Sequence, residues 1–171
     1  MERTGVITFA GNPLTLVGDE VRVGDRAPQF TVVDRELKPV SLSDFQGKVK
    51  LISVTPSLDT PVCDLQARTF NEEAAALPET IAVLNISMDL PFAIARFCGN
   101  AGIEKIETLS DYKDASFGTA YGVLIKELRL LSRAIFVIDQ KDTITYVEMV
   151  PEITKPPNYD KALSEAKKLI G

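Results

Sequence analysis

Apolar positions along this chain fall into short, almost uninterrupted runs separated by more polar stretches. Three such runs, Lys50–Thr55, Ile81–Ser87 and Ala134–Ile138, predict strands that are buried on both faces of a sheet. After the third run, the turn residues 139–142 lead into Thr143–Val150, which predicts an antiparallel neighbour. Strands of this kind that alternate with helices predict an α/β domain with a mixed sheet covered on both faces.

Helical periodicity occupies much of the chain between these runs. We predict helices over Thr60–Leu77, Leu90–Cys98, Ala115–Tyr121 and Tyr159–Ile170. In the first helix, Thr60 suits the N-cap and Pro61 suits the first helical position. In the second, Asp89 suits the N-cap and Gly99 suits the C-terminal stop.

The N-terminus predicts a β-hairpin that precedes the α/β pattern. Its two strands, Val6–Phe9 and Leu14–Val17, flank the turn residues 11–13. Three shorter elements are expected later: a strand near Phe30–Val33, a helical turn at Ser41–Phe45 and a weak strand at Glu107–Ser110. We find no internal repeat and no linker, so we expect a single domain over residues 1–171 with residues 1–19 as a hairpin extension.

The bulk composition is that of a soluble globular protein and removes several classes of partner. Hydrophobic residues make up 45% of the 171 residues and charged residues 25%, with a net charge of −5. Without a basic stretch, nucleic acid is not an expected partner. No apolar run approaches the roughly 20 residues that span a bilayer, and the N-terminus has no signal-peptide pattern. We therefore expect no membrane partner and a cytoplasmic location.

The absence of histidine decides which chemistry remains. Serine or cysteine nucleophiles that rely on a histidine base are excluded, and the two cysteines cannot make the usual four-ligand zinc site. Neither a calcium-loop pattern nor a phosphate-binding glycine-rich loop is present, and we expect no cofactor. In a compartment that keeps thiols reduced, two cysteines indicate redox chemistry, so cysteine is the leading candidate for catalysis.

Cys63 occupies the third position of the predicted helix that Thr60 caps. Free N–H groups and the positive end of the helix dipole favour an anion in that first turn, and the thiolate is the nucleophilic form of cysteine. The alternative is inert packing, because Cys63 also lies on the apolar stripe of its helix with Ala67 and Phe70. The preceding strand and loop favour a functional role, since ligands commonly bind where a strand ends and a helix begins.

Several segments together resemble a known family. Pro56–Cys63 is similar to the Pro-x-x-x-Thr-x-x-Cys signature of peroxiredoxins, and Gly24–Phe30 is similar to their Gly-Asp-x-Ala-Pro-x-Phe segment. Segments 89–93, 96–99 and 131–134 resemble the bacterial thiol peroxidases, which are atypical two-cysteine peroxiredoxins. The resemblance covers nearly the whole chain in the right order. One departure is segment 125–130, which lacks the Gly-Pro spacing found before the arginine in many relatives.

The resemblance implies a thioredoxin-like fold with an added N-terminal β-hairpin and a role for five residues. Cys63 would be the peroxidatic cysteine and Cys98 the resolving cysteine, joined in an intramolecular disulfide during turnover. Thr60 and Arg133 would position the peroxide and the thiolate, and Pro56 would shield the site. The family also implies hydrogen peroxide and organic hydroperoxides as substrates, thioredoxin as reductant, and a homodimer.

Each of these residues also has an ordinary explanation. Thr60 can be a plain N-cap, Arg133 a surface charge at a strand end, and Pro56 the end of a strand. Cys98 can be a small apolar residue in a helix. Two other functions stay open from the residues alone: a thiol–disulfide oxidoreductase or redox sensor that uses the same cysteine pair, and a non-enzymatic interaction module. An arginine and a threonine around the sulfur favour the peroxidase, because a dithiol oxidant has no evident need for them.

Overall fold

The computed structural model describes residues 1–170 of the chain. Residue 171, which the single-domain expectation also includes, lies outside the described residues. The strands are β1 (Glu2–Phe9), β2 (Asn12–Val17), β3 (Thr31–Val33), β4 (Pro39–Ser41), β5 (Val49–Val54), β6 (Ile81–Ser87), β7 (Glu107–Ser110), β8 (Leu124–Ile125), β9 (Leu130–Leu131), β10 (Ala134–Ile138) and β11 (Ile144–Met149). The helices are α1 (Pro61–Ala74), α2 (Pro91–Ala101), α3 (Ser116–Ala120) and α4 (Tyr159–Lys167), with short 3-10 helices at Leu42–Phe45 and Lys168–Ile170.

The central sheet has seven strands in the order β11-β10-β5-β6-β7-β3-β4. Strands β5, β6 and β7 run parallel, and β10 pairs antiparallel with β5, so the predicted mixed sheet is confirmed. In that antiparallel pairing Ala134 lies opposite Val54. The start of β10 therefore meets the end of β5, which is the edge of the sheet where α1 begins.

The sheet is covered on both faces, as its uninterrupted apolar strands predict. Residues of α1, α2 and α4 pack on one face, where they meet alternate positions of β5 such as Val49 and Leu51. The other positions, such as Ile52 and Val54, face α3 and an aromatic cluster. That cluster consists of Phe30, Phe117, Tyr121 and Phe136.

The predicted N-terminal hairpin is present as β1 and β2, and it extends into a second sheet with the order β1-β2-β8-β9. The partner strands β8 and β9 have two residues each and were not predicted from the sequence. They flank the segment that departs from the family spacing, which here forms a tight turn with Arg129 at φ 56°. A small apolar cluster of Ile7, Leu16, Ile125 and Ile153 lies under the hairpin.

The ends of α2 differ from their prediction. The helix begins at Pro91 with Leu90 at the N-cap, because the Asp89 carboxylate instead accepts hydrogen bonds from Ser57, Leu58 and Ser87. It also continues past Gly99, an exposed position inside the helix, and ends where Gly102 adopts a left-handed conformation at φ 69°.

Other boundaries differ by a few residues, as α-helical ends commonly do. The last helix was predicted to reach Ile170, whereas α4 ends at Lys167 and a 3-10 helix follows. Strand β4 was not predicted from the sequence. Among residues 1–170, no helix has the length and apolarity needed to cross a membrane.

Candidate active site

The first turn of α1 forms at the end of β5 through the local sequence around Thr60. Its backbone is extended at φ −123° and ψ 150°, and its carbonyl accepts the first helical hydrogen bond from the Asp64 N–H at 2.9 Å. Pro61 fills the first helical position, which needs no N–H donor. The predicted N-cap position is therefore confirmed. The Thr60 side chain, however, does not cap the helix, because its exposed hydroxyl donates to the Ser57 carbonyl at 2.8 Å.

Cys63 lies in this first turn with its side chain fully enclosed. Its exposed fraction is 0%, and its thiol is free. It shares the buried face of α1 with Gln66, Ala67 and Phe70. The location is thus the predicted one, at the N-terminus of a helix that follows a buried strand, but within residues 1–170 the Cys63 side chain is covered completely.

Arg133 directly precedes β10 and is buried, with 2% of its surface exposed. Its Nη1 donates to Gln66 Oε1 at 2.8 Å, while Nε and Nη2 donate to the Ile153 carbonyl at 3.0 and 2.8 Å. The alternative explanation of Arg133 as a surface charge is therefore wrong. Within residues 1–170 no carboxylate forms an ion pair with it. A buried cation without such a partner favours an anion in its neighbourhood.

Gln66 is one site residue that sequence analysis missed. It is fully buried and connects Arg133 to the sheet, because its Nε2 donates to Ser53 Oγ at 2.7 Å. Asn85 extends the network by donating to the carbonyl and hydroxyl oxygens of Ser53. The signal in the sequence was its position three residues after Cys63, which places a polar side chain on the same face of the helix.

Tyr159, at the start of α4, adds a hydroxyl to the site. Burial raises the pKa of Tyr159, Arg133 lowers it and Cys63 raises it, so both groups are electrostatic neighbours of this hydroxyl. The oxygen is buried and lies near the Thr69 side chain, which also lowers the pKa of Tyr159. Sequence analysis placed Tyr159 at the start of a helix and did not connect it with Cys63.

Cys98 occupies α2 rather than the first turn of a helix. It is also buried, and its sulfur lies 3.1 Å from Thr108 Oγ1 on β7. Both cysteines are free, and β6 lies between the strand that leads to Cys63 and the strand that Cys98 contacts. The structure therefore brings Arg133 and Thr60 to the helix of Cys63, and it keeps Cys98 packed against a different strand.

Pro56 is buried directly after β5, where the chain turns toward α1. The neighbouring Thr55 N–H donates to the Ile86 carbonyl at 3.1 Å, which fixes the start of this loop against β6. On the outer side of the loop, an open groove of about 750 Å³ lies between the N-terminal part of α1 and α2, and Cys63 is not among the residues that line it. Pro56 thus lies on the inner, protected side of the loop.

The chain is similar to known proteins over most of its length. Residues 22–163 match the family described as Redoxin, which is most of the chain. The chain belongs to the Redoxin family. Among its Redoxin relatives, the thiol peroxidase of Halalkalibacterium halodurans is 60% identical over 94% of this chain and 96% of the relative. The thiol peroxidase of Bacillus subtilis is 58% identical over 96% of this chain and 98% of the relative.

Solved structures agree with this membership. A peroxiredoxin-like protein from Aquifex aeolicus superimposes with a TM-score of 0.91 at 43% identity and covers 98% of both chains. A thiol peroxidase from Chromobacterium violaceum superimposes with a TM-score of 0.84 at 26% identity, and the match covers 95% of both chains. The predicted resemblance to bacterial thiol peroxidases and the predicted thioredoxin-like fold with a mixed sheet are therefore confirmed for this Redoxin member.

Proposed function

We propose that this chain is a thiol peroxidase that reduces hydroperoxides with Cys63 as the attacking thiolate. The observation that supports it most is the buried Arg133, which has no carboxylate partner in residues 1–170 and is held against α1 through Gln66. A cation at the N-terminal end of a helix stabilises both a thiolate and the charge that develops on a leaving oxygen. The names of the relatives at 58–60% identity support the same activity.

In the proposed first step the Cys63 thiolate attacks the distal oxygen of R–O–OH. A sulfur–oxygen bond forms, the O–O bond breaks, and the hydroxyl group passes to sulfur while the alkoxide takes a proton from water and leaves as the alcohol. Sulfur is oxidised to the sulfenic acid. The Thr60 hydroxyl already donates its hydrogen bond to the Ser57 carbonyl. The lone pairs of the Thr60 oxygen are therefore available to accept a hydrogen bond from the peroxide O–H. Arg133 supplies donors for the leaving oxygen.

Access to the sulfur requires a local opening in this proposal. Cys63 is fully enclosed, and Pro56 is buried in the loop that joins β5 to α1. A small movement of the exposed residues Thr60 and Pro61 would admit a peroxide while Pro56 continues to exclude bulk water. Such shielding would protect the sulfenic acid from further oxidation.

The second step joins the two cysteines. The Cys98 sulfur attacks the sulfenic sulfur of Cys63, water leaves, and an intramolecular disulfide forms. Since a disulfide needs Cα atoms within about 7 Å, and both thiols are buried and free here, we propose that oxidation loosens the first turn after Thr60. Identical conformations of the reduced and disulfide forms would contradict this step.

An external dithiol must then reduce the disulfide, because the chain holds only these two cysteines. Thioredoxin in the reducing cytoplasm is the reductant that the family resemblance suggests. The resemblance also suggests a homodimer, which sedimentation of the reduced protein would test. Both partners are inferred from the resemblance and not from particular residues of the chain.

The experiment is intact-mass and free-thiol analysis after one equivalent of an organic hydroperoxide is added to reduced protein. Wild type, Cys63→Ser and Cys98→Ser are treated in parallel. We expect wild type to lose two hydrogens and both thiols, Cys63→Ser to stay unchanged, and Cys98→Ser to gain one oxygen. If wild type keeps both thiols for as long as free cysteine needs to react, the peroxidase proposal is wrong.

A further inference from the structure

The N-terminal hairpin is tied to the segment after β11, residues 151–154, through one carboxylate. Glu152 Oε1 accepts hydrogen bonds from the Thr8 hydroxyl at 2.8 Å and the Gly11 N–H at 2.9 Å. Its Oε2 accepts from the Ala10 N–H at 3.0 Å and from the N–H and hydroxyl of Thr154 at 3.0 and 2.7 Å. Both oxygens of one side chain thus join the tip of the hairpin to this segment.

Backbone hydrogen bonds reinforce the same connection. The Thr8 N–H donates to the Pro151 carbonyl at 2.7 Å, and the Ile153 N–H donates to the Thr8 carbonyl at 3.0 Å. Thr8 and Glu152 therefore form a parallel β-bridge. Segment 151–154 follows the central sheet in sequence, yet β1 of the hairpin fixes its conformation.

The segment also holds the guanidinium of the candidate active site. The Ile153 carbonyl accepts from both Nε and Nη2 of Arg133, and the Ile153 side chain is buried under the hairpin beside Ile7 and Leu16. Ile153 is therefore bound by its N–H to the hairpin and by its carbonyl to Arg133. Of the three hydrogen bonds that the Arg133 guanidinium makes within residues 1–170, two go to this one residue and the third goes to Gln66.

We propose that Glu152 is a positioning residue for peroxide reduction, which acts by fixing Ile153 so that Arg133 is held in place against α1, the helix that contains Cys63. This inference rests on the proposed function, in which Arg133 stabilises the thiolate and the leaving oxygen. It gives the hairpin a role in the reaction although the hairpin contributes no residue to the site. The hairpin and Glu152 act on the arginine, and the arginine acts on the sulfur.

The charge on Glu152 suits a permanent connection. Hydrogen bonds from the Thr154 hydroxyl, the Gly11 N–H and further donors hold the pKa of Glu152 well below its usual range. It stays anionic as the pH falls, so its acceptors remain available. Catalytic groups must be held to within a fraction of an ångström, and a loosened Ile153 carbonyl would let the guanidinium move by more than that.

The test replaces Glu152 and, as a matched control, Glu127, a second glutamate that binds the hairpin from outside it. Glu127 Oε1 accepts from the Thr15 N–H at 2.8 Å, so it also ties the hairpin to the body, but it makes no hydrogen bond to segment 151–154. In a Cys98→Ser background, the rate of Cys63 oxidation by an organic hydroperoxide is measured by rapid quench and intact mass. We expect Glu152→Ala to lower this rate about tenfold, and Glu127→Ala to stay within about twofold of the parent.

A double-mutant cycle separates positioning from general destabilisation. If Glu152 acts through Arg133, Glu152→Ala should have little further effect on the rate in an Arg133→Lys background. The proposal would be overturned if Glu152→Ala lowered the rate by the same factor with Arg133 and with Arg133→Lys. Equal rates for Glu152→Ala and Glu127→Ala would overturn it as well. Thr8→Val, which removes only one donor to Glu152, provides a milder variant if Glu152→Ala fails to fold, and it should slow oxidation in the same direction.

Failure of the proposed function gives a different result. If Cys63 in the parent background does not gain oxygen from peroxide at all, the peroxidase proposal fails. If the parent is oxidised rapidly and neither Glu152→Ala nor Thr8→Val slows that reaction, only the positioning role of Glu152 is wrong.

Discussion

Asn71 on α1 accepts a hydrogen bond from the Lys105 N–H at 2.7 Å through its side-chain oxygen. The same oxygen accepts from the Glu104 N–H at 3.1 Å, and the side-chain nitrogen donates to the Gly102 carbonyl at 3.4 Å. One side chain of the helix that contains Cys63 thus holds the segment that follows α2, only a few residues beyond Cys98.

Asn71→Ala should therefore speed the proposed disulfide step. Loss of these hydrogen bonds removes about 1 kcal/mol or more that favours the packed end of α2, so release of Cys98 should accelerate by up to about tenfold. Rapid quench and intact mass would follow the interval between the sulfenic acid and the disulfide. Asn100→Ala, at an exposed position of α2, is the control and should leave the interval unchanged. An unaltered interval in Asn71→Ala would show that this contact does not restrain Cys98.

Asp89 joins the loop before α1 to the end of β6. One oxygen accepts from Ser57 Oγ at 2.8 Å, and the other accepts from the Leu58 N–H at 2.8 Å and Ser87 Oγ at 2.9 Å. The carboxylate therefore fixes the residues that lead directly into Thr60.

Asp89→Asn should destabilise the fold by about 2 kcal/mol, because an amide has one acceptor oxygen and its nitrogen would face a donor. We also expect slower oxidation of Cys63, since the Ser57 carbonyl accepts the hydrogen bond that orients the Thr60 hydroxyl. Urea unfolding and the rapid-quench rate would measure the two effects. Asp59→Asn, an exposed neighbour on the same loop, should change neither by much. If Asp89→Asn were as stable as wild type, the hydrogen bonds of Asp89 to the loop would not stabilise the fold.

Much of the fold could be predicted because its central strands are buried on both faces and therefore apolar throughout. Strands β5, β6 and β10 follow their predicted boundaries within one residue. The pattern could not predict β8 and β9, since two-residue strands have no periodicity and form through pairing of β8 with the hairpin strand β2 and of β9 with β8. The N-terminal end of α2 was wrong because Asp89 binds Ser57, Leu58 and Ser87 instead of capping the helix. The C-terminal end was wrong because Gly102, and not Gly99, takes the left-handed conformation that ends the helix.

The candidate site divides in the same way. Cys63 and the N-cap position of Thr60 follow from local helix chemistry, whereas the burial of Arg133 was not predicted, because it results from the antiparallel pairing of β10 with β5. Gln66 and Glu152 were missed, because each matters through a contact with residues tens of positions away. Such contacts leave no signal in hydrophobic periodicity.

A buried ion pair at the N-terminal end of β5, away from the candidate active site, provides a test of stability that is independent of function. Lys50 is fully buried, and its Nζ lies 2.5 Å from Asp142 Oδ1 and 3.2 Å from the Asp139 carbonyl. Asp142 has φ 63°, a conformation that asparagine tolerates well.

Asp142→Asn should cost about 3 kcal/mol, because it leaves a buried ammonium without its counter-ion while it preserves the backbone. Lys50→Met should cost much less, because a methionine fills a similar volume and the partly exposed Asp142 keeps contact with water. Urea unfolding of the two variants at pH 7 would compare them. Equal losses would mean that the pair contributes packing rather than charge compensation.

Asp111 lies between β7 and α3, and its carboxylate accepts from the N–H groups of Phe117 and Gly118 at 3.0 and 2.7 Å. Burial is the main cause that raises the pKa of Asp111 to about 6, against an opposing effect of these hydrogen bonds, and Asp114 adds a smaller increase. The carboxyl group therefore holds its proton more tightly in the folded chain than in the unfolded chain.

This difference fixes the sign of a pH effect on stability. Between pH 4 and pH 6 the folded state binds more protons at Asp111 than the unfolded state, so the contribution of this group is largest in acid and is lost as the pH rises through about 6. The free energy of unfolding of wild type relative to Asp111→Asn should thus fall by about 2 kcal/mol between pH 4 and pH 7. Urea unfolding of both proteins across that range measures it. Asp114→Asn should retain most of the effect, because burial and not Asp114 is its main cause, whereas a constant difference between wild type and Asp111→Asn would show that Asp111 titrates alike in both states.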